Sequence, residues 1–279
     1  MIADKDTNTI YFSKLLKTDS RFSETSKQII ETLETYGAKF DFLRDTKDIW
    51  ARDYMPIQIN DNTFIEYRFD PDYLQGYTKG RRDLKTYPDI VCATIKLPTK
   101  KSDLIMDGGN IVKSSDCIIL TEKIVKENRL SYSKTELTRK LHDTFEVEKV
   151  VLIPVDKMEK EYGHSDGMLR FIDNETVLIH DYYKDDTVMQ YRLKQAGLKT
   201  EFIDLKVKNR DERSWAYLNF LQTKDLILLP KFGIEEEEQV FEQIESFYPD
   251  YKGKIARIDM NETVNFGGTL NCISWTIKE

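Results

Sequence analysis

A recurring order of helix, apolar strand, polar turn and hairpin constrains most tightly what this 279-residue chain can fold into. Three helical patterns show it. The first spans about 133–145, with Ser133 and Glu136 as a capping-box signature. The second spans about 185–196 and stops at Gly197; the third spans about 235–247 and stops before Pro249. Each runs into a short apolar strand: KVVLIPV, KTEFIDL and KIARIDM. Each strand leads through polar or glycine-bearing residues into a further strand: GHSDGMLRFI, SWAYLNFL and FGGTLNCISW. The first two continue into partner strands, TVLIHDY and LILLP. Two earlier segments fit the later part of the same order, DIWARDYMPIQI leading to TFIEYRF and DLIMDGGNIV leading to DCIILTE. A helix at about 23–36, before Gly37, precedes the first of them. The pattern therefore counts five units, the helix of the second being replaced or obscured by the loop at 70–100.

Aligning the units on their hairpins places Asp53, Asp107, His164 with Asp166, Asn219 and Cys272 at equivalent positions. The intervals from Asp53 through Asp107, Asp166 and Asn219 to Cys272 are 54, 59, 53 and 53 residues. Five such units around an axis bring these positions together, as the blades of a propeller converge on its channel. The expectation is an α/β chain folded as one pseudo-fivefold α/β propeller domain over residues 1–279. Cys272, at the edge of the sequence, then lies at the middle of the molecule.

The ring so predicted holds a thiol, an imidazole, three carboxylates and an amide. A thiol is a good nucleophile, and a nearby imidazolium favours its thiolate. A carboxylate can hold the imidazole in one tautomer. Further carboxylates have no use in ordinary acyl transfer, where negative charge develops and N–H donors are needed. They suit a guanidinium, which is planar, always charged and pairs bidentately with carboxylates. The set reads as nucleophilic attack on a guanidinium carbon.

Composition excludes other classes. Net charge is −7, and the isoelectric point near 5.3 speaks against a nucleic-acid binder. The longest apolar runs, such as Cys117–Leu120 and Leu226–Pro230, are far too short to span a bilayer. Asp4, Lys5 and Asp6 stand where an export signal would begin its apolar core, so none is read. The three cysteines, Cys92, Cys117 and Cys272, form no C-x-x-C pair, which suggests a reducing, cytoplasmic setting. The three histidines, His142, His164 and His180, show no helical metal-ligand spacing, so no metal or cofactor is expected.

WARD (Trp50–Asp53), DGGN (Asp107–Asn110), GHSD (Gly163–Asp166), YLNF (Tyr217–Phe220) and GGTLNC (Gly267–Cys272) together resemble the agmatine deiminase and bacterial-type peptidylarginine deiminase family. These are guanidine-modifying penteins, five-bladed α/β propellers. The resemblance implies Cys272 as nucleophile, His164 as the acid for departing ammonia and later the base for water, and Asp107 as the acid that orients His164. It implies Asp53 and Asp166 as guanidinium ligands, with Trp50 and Asn219 in motifs lining the same pocket. The glycines near Cys272 would admit close approach of substrate to backbone. Asp107 stands where the family more often has Glu, and Asn271 where it often has His. After the cysteine the chain reads ISWTIKE rather than a polar stretch ending in proline.

Each residue alone has a plainer reading. Cys272 could be a small buried hydrophobe; Asp53 a helix cap or an ion-pair partner of Arg52; Asp107 a turn residue. Cys92, Cys117, His142 and His180 are read as structural, and the run Glu235–Glu238 as a solvated helix start. The expected partner is a small cationic guanidino substrate, agmatine first, with no nucleic acid and no membrane. Deimination of free, peptidyl or C-terminal arginine, amidino transfer to an amine and a non-catalytic binding protein are the alternatives. The loop Glu66–Asp83 carries both signs of charge for the far end of a substrate: Asp70 and Asp72, and Arg68, Arg81 and Arg82.

Overall fold

The computed structural model describes residues 1–75, 82–155, 162–204 and 214–279. Its strands form five sheets of three strands each, all of one topology. In each sheet the middle strand pairs antiparallel with one neighbour and parallel with the other. In the third sheet by sequence, Val112–Lys113 pairs antiparallel with Cys117–Thr121, which runs parallel to Lys149–Ile153 after a helical crossover. A parallel return needs such a crossover, which is why a helix recurs in each unit.

The helices form where the pattern predicts. Lys134–Phe145 begins at Ser133, which caps Glu136 N–H while the Glu136 side chain accepts from the Ser133 backbone. Thr187–Gln195 is capped by Asp186, and its chain turns at Gly197 with φ +76°. Ser23–Thr35 and Glu237–Phe247 each bury one apolar face, Ile29 and Leu33 in one and Val240, Phe241 and Ile244 in the other. The obscured helix of the second unit is Pro88–Thr94, a short one started by proline within the 70–100 loop. Among the described residues no helix is long and apolar enough to cross a membrane.

The sheets are offset from the units read in the sequence. The strand after each helix pairs with the hairpin before that helix, not with the hairpin after it. Each polar turn therefore connects two sheets. One sheet joins the ends of the chain: Ser274–Ile277 runs antiparallel to Thr9–Ser13, which runs parallel to Lys39–Leu43. Cys272 accordingly lies not in a strand but in the turn before Ser274.

Glu237 departs from the solvated helix start expected of it. It is buried, accepts the backbone N–H groups of Phe232 and Gly233, and receives the Tyr217 hydroxyl at 3.4 Å. It closes the turn before its helix by binding backbone donors that would otherwise be orphaned.

Trp275 locks the closing strand. Its indole N–H donates to the Pro56 carbonyl at 2.7 Å, and its ring lies 5.2 Å from Tyr11 and 6.1 Å from Phe64. Trp275→Ala removes a large buried ring and orphans that carbonyl. It should cost about 3–5 kcal/mol in denaturant unfolding, and a loss under about 1 kcal/mol would show that this sheet does not close the fold.

Candidate active site

Four of the five motifs are built on or beside a single helical turn between the parallel strand of one sheet and the hairpin of the next. WARD holds Ala51–Tyr54, DGGN holds Gly108–Asn110, GHSD holds Ser165–Gly167, and Tyr217–Leu218 of YLNF end the turn Ser214–Leu218. GGTLNC forms a non-helical turn. Every turn reverses the chain at the same place in its unit, and so the side chains meet.

Asp53, His164, Cys272 and Trp50 line one pocket, together with Asp48, Phe69, Tyr73, Leu74, Leu84, Tyr162, Phe266 and Gly267. It encloses about 700 Å³ including its open mouth. His164 Nε2 lies 2.9 Å from Asp107 Oδ2, and Nδ1 lies 3.8 Å from Asp53 Oδ1. The Cys272 thiol donates to Asp166 Oδ2 at 3.5 Å, and Asn271 Nδ2 donates to the same oxygen at 2.7 Å. Gly109 N–H donates to Asp53 Oδ1 at 3.2 Å. A Cβ on Gly109 would stand 2.6 Å from both that oxygen and His164 Nδ1, which explains the second glycine of DGGN.

Asn219 is placed differently from expectation. It is fully buried behind the cysteine turn rather than at the pocket wall. Its side-chain oxygen accepts the backbone N–H groups of Thr269 and Cys272, both at 3.3 Å, and the Thr269 hydroxyl at 3.0 Å. Its backbone carbonyl accepts Asn271 N–H at 3.0 Å. An amide suits this task because one oxygen can take several donors. Gly268 likewise serves packing: a Cβ there would collide with the Trp50 indole. Arg52 does not pair with Asp53. It reaches Asp4 at 3.6 Å and the Asn271 carbonyl at 3.4 Å, while Lys113 and Arg170 bind the same Asp4 at 2.7 and 3.2 Å.

Burial and charge set the protonation states. Burial alone would strip the His164 proton, but Asp53 and then Asp107 outweigh it and raise the imidazole to about 9. Burial lifts Asp53 to about 7; His164 opposes that rise, and Asp107 and Asp166 add to it. Burial, with Asp166 and Asp53, pushes the Cys272 thiol well above its ordinary value. Asp107 stays below the usual carboxylate range despite burial, because Lys123 and His164 hold its charge. Cys92 and Cys117 are buried thiols lifted to about 12, as structural cysteines are.

Of the loop Glu66–Asp83, Phe69, Tyr73 and Leu74 line the pocket, and none of its described charged residues does. Asp70 binds Arg68 at 2.8 Å and Lys85 at 2.7 Å, Asp72 binds Lys126 at 2.8 Å, and Arg82 is exposed. Arg81 lies outside the described residues. Sequence reasoning missed Asp48, Tyr73, Tyr162, Phe266 and Lys123. Asp48, Tyr162 and Phe266 lie within two residues of recognised motifs, so flanking positions were the available signal.

A five-bladed α/β propeller with its ionisable residues drawn to the axis is the pentein fold, and the solved structures similar to this chain share it. An agmatine deiminase of C. jejuni with substrate bound superposes with a TM-score of 0.76 at 17% identity, covering 100% of this chain and 96% of that one. A dimethylarginine dimethylaminohydrolase of Pseudomonas aeruginosa, complexed with citrulline, gives a TM-score of 0.60 at 13% identity over 97% and 99%. The model of the Porphyromonas-type peptidyl-arginine deiminase family matches residues 14–277, and the chain belongs to that family. A Mycoplasma capricolum protein named "Putative agmatine deiminase" is 25% identical over 222 residues, covering 66% of this chain and 60% of the relative. The match spans about three fifths of the length of that relative and of an Enterococcus faecalis protein with the same name.

Asp48 gives the site a pH signature. Burial and the neighbouring Asp53 raise its carboxyl to about 8, against the pull of the Trp50 N–H. A carboxyl raised on folding contributes stability at low pH that is lost as pH rises toward its folded value. Asp48→Asn carries no such loss. Its unfolding free energy relative to wild type should improve by about 2 kcal/mol or more between pH 5 and pH 8. Parallel pH profiles in denaturant unfolding would contradict a raised carboxyl at this half-buried position.

Proposed function

We propose that this chain is a hydrolase that deiminates a small guanidino compound, agmatine before arginine. The juxtaposition of Cys272, His164, Asp53 and Asp166 carries the reading. A guanidinium held by Asp53 and Asp166 neutralises the two carboxylates that push the thiol up, so substrate binding itself favours the thiolate. The thiolate attacks the guanidinium carbon and forms a C–S bond. Protonated His164 gives its proton to one departing nitrogen, and ammonia leaves a thiouronium on Cys272. Neutral His164 then takes a proton from water, which adds to the carbon. Collapse breaks the C–S bond, releasing the ureido product and the thiolate. Asp107 holds the imidazole through both transfers, Trp50 walls the pocket, and Asn219 acts by holding the cysteine turn. The whole propeller acts as one domain, and a reduced, cytoplasmic setting suits the free thiol.

The lining of the pocket supports an amine over a carboxylate. Asp48 and the rings of Phe69, Tyr73, Tyr162 and Phe266 line it, and among the described residues no Lys or Arg does. Such a wall suits an ammonium-ended chain. Arginine would bring a carboxylate against a wall in which no described residue supplies a cation.

A panel of agmatine, free arginine, arginyl peptides and methylarginines, read by ammonia and ureido product, tests this. Agmatine should lead by kcat/KM, and Cys272→Ala should lose more than about a thousandfold in turnover while still binding substrate. Asp166→Asn should also raise KM. If C-terminal arginyl peptides turn over and agmatine does not, the arginine reading replaces this one. If Cys272→Ala retains a tenth of wild-type turnover, the cysteine is not the nucleophile.

A further inference from the structure

Lys123 takes no part in the chemistry above, yet it lies against it. It opens the short helix Lys123–Asn128 directly after the strand Cys117–Thr121, and its side chain is only 6% exposed. Its ammonium contacts Asp107 Oδ2, the oxygen that also faces His164 Nε2 at 2.9 Å. Glu127, one turn along the helix, lies 3.4 Å from Nζ. The Tyr73 ring, which also lines the pocket, sits 4.7 Å from the ammonium and 6.3 Å from the His164 ring. A buried ammonium is costly, and an aliphatic side chain would fill the same space without that cost. The charge itself therefore calls for an explanation.

We propose that Lys123 is a positioning residue for the acid–base pair: it shares Asp107 Oδ2 with His164, keeps that carboxyl ionised, and limits how tightly His164 holds its proton. The proposal rests on the deiminase reading, in which His164 must both give up a proton and recover one. Two carboxylates flanking an imidazolium make it a reluctant acid, and a cation behind one of them works the other way. The signs agree. Burial is the largest influence on Asp107 and acts to neutralise it, while Lys123 is the foremost group opposing this. On His164, Lys123 lowers what Asp53 and Asp107 raise. Lys123 itself stays charged because Asp107 and Glu127 overcome its burial. Among the described residues the other ionisable groups facing the cluster are Asp53 at Nδ1 of His164, with Asp48 beyond it, Asp166 and Cys272, Asp72 behind Glu127, and the phenols of Tyr67, Tyr73 and Tyr162.

Removing one positive charge raises the proton affinity of every neighbour, so both Asp107 and His164 should move up. The test is an NMR titration of the His164 ring in the free protein, assigned among the three histidines by His164→Gln. In Lys123→Met its midpoint should rise by about one pH unit, and the basic limb of the kcat profile should move the same way. Lys123→Arg, which keeps the charge, should leave the midpoint near that of wild type. Glu127→Gln removes an anion behind Lys123 and should move the midpoint down. A natively folded Lys123→Met with an unmoved His164 midpoint overturns the proposal, whatever its turnover. If Lys123→Met does not fold, Glu127→Gln decides, and an unmoved or raised midpoint overturns it. If no guanidino compound turns over, the deiminase reading falls, and the titration still decides the part played by Lys123.

Discussion

The organising constraint is the crowding of ionisable groups at the axis of the propeller. Asp53, Asp107, Asp166, His164 and Lys123 are packed where water is scarce, and none could be charged there alone. Asp107 is the hinge of the set, since His164 and Lys123 meet on one of its oxygens. Cys272 joins the set through its thiol, which donates to Asp166. The site thus crowds carboxylates together, and Asp166 and Asp53 help burial to keep the thiol protonated.

The scaffold meets this constraint by repetition. Each unit contributes one reversal of chain to the axis, so no single loop has to position the whole site. Long-range ties hold the reversals in place. Asn219 binds the turn of Cys272, and Asp4 joins Arg52, Lys113 and Arg170 from three other segments. Asp4 stays below the usual carboxylate range in spite of burial because these cations surround it. Arg52, drawn to Asp4, leaves Asp53 free to face the pocket.

Periodicity makes the architecture legible in the sequence. The helix caps at Ser133 and Gly197, the apolar strands after each helix, and the near-constant interval between polar turns depend on local chemistry that the sequence displays directly. Strand partnership does not. Whether KVVLIPV pairs with the hairpin before or after it is decided by the crossover, and so the sheet boundaries fell half a unit away from the sequence units. Cys272 reads as a strand residue because apolar neighbours on both sides imitate one; the turn is set by Asn219, 53 residues distant. The same limit explains Glu237 and Lys123. A charged residue at a helix start reads as solvated, and only packing from elsewhere in the chain reveals it as buried. Asn219 was assigned to the pocket wall because its motif reaches the axis, but its oxygen is taken up by the backbone of the cysteine turn. Tyr73 and Phe69 reach the pocket through a loop that carries no periodic signal.

The central claim is a covalent bond between Cys272 and the guanidinium carbon. It can be read directly by mixing wild-type protein with agmatine in excess, quenching in acid during turnover, and mass-analysing the peptide that contains Cys272. The account predicts a transient adduct on that peptide with the mass of agmatine less ammonia, absent in Cys272→Ala. Turnover of agmatine by the wild type, with no adduct on Cys272 at any quench time, would contradict it.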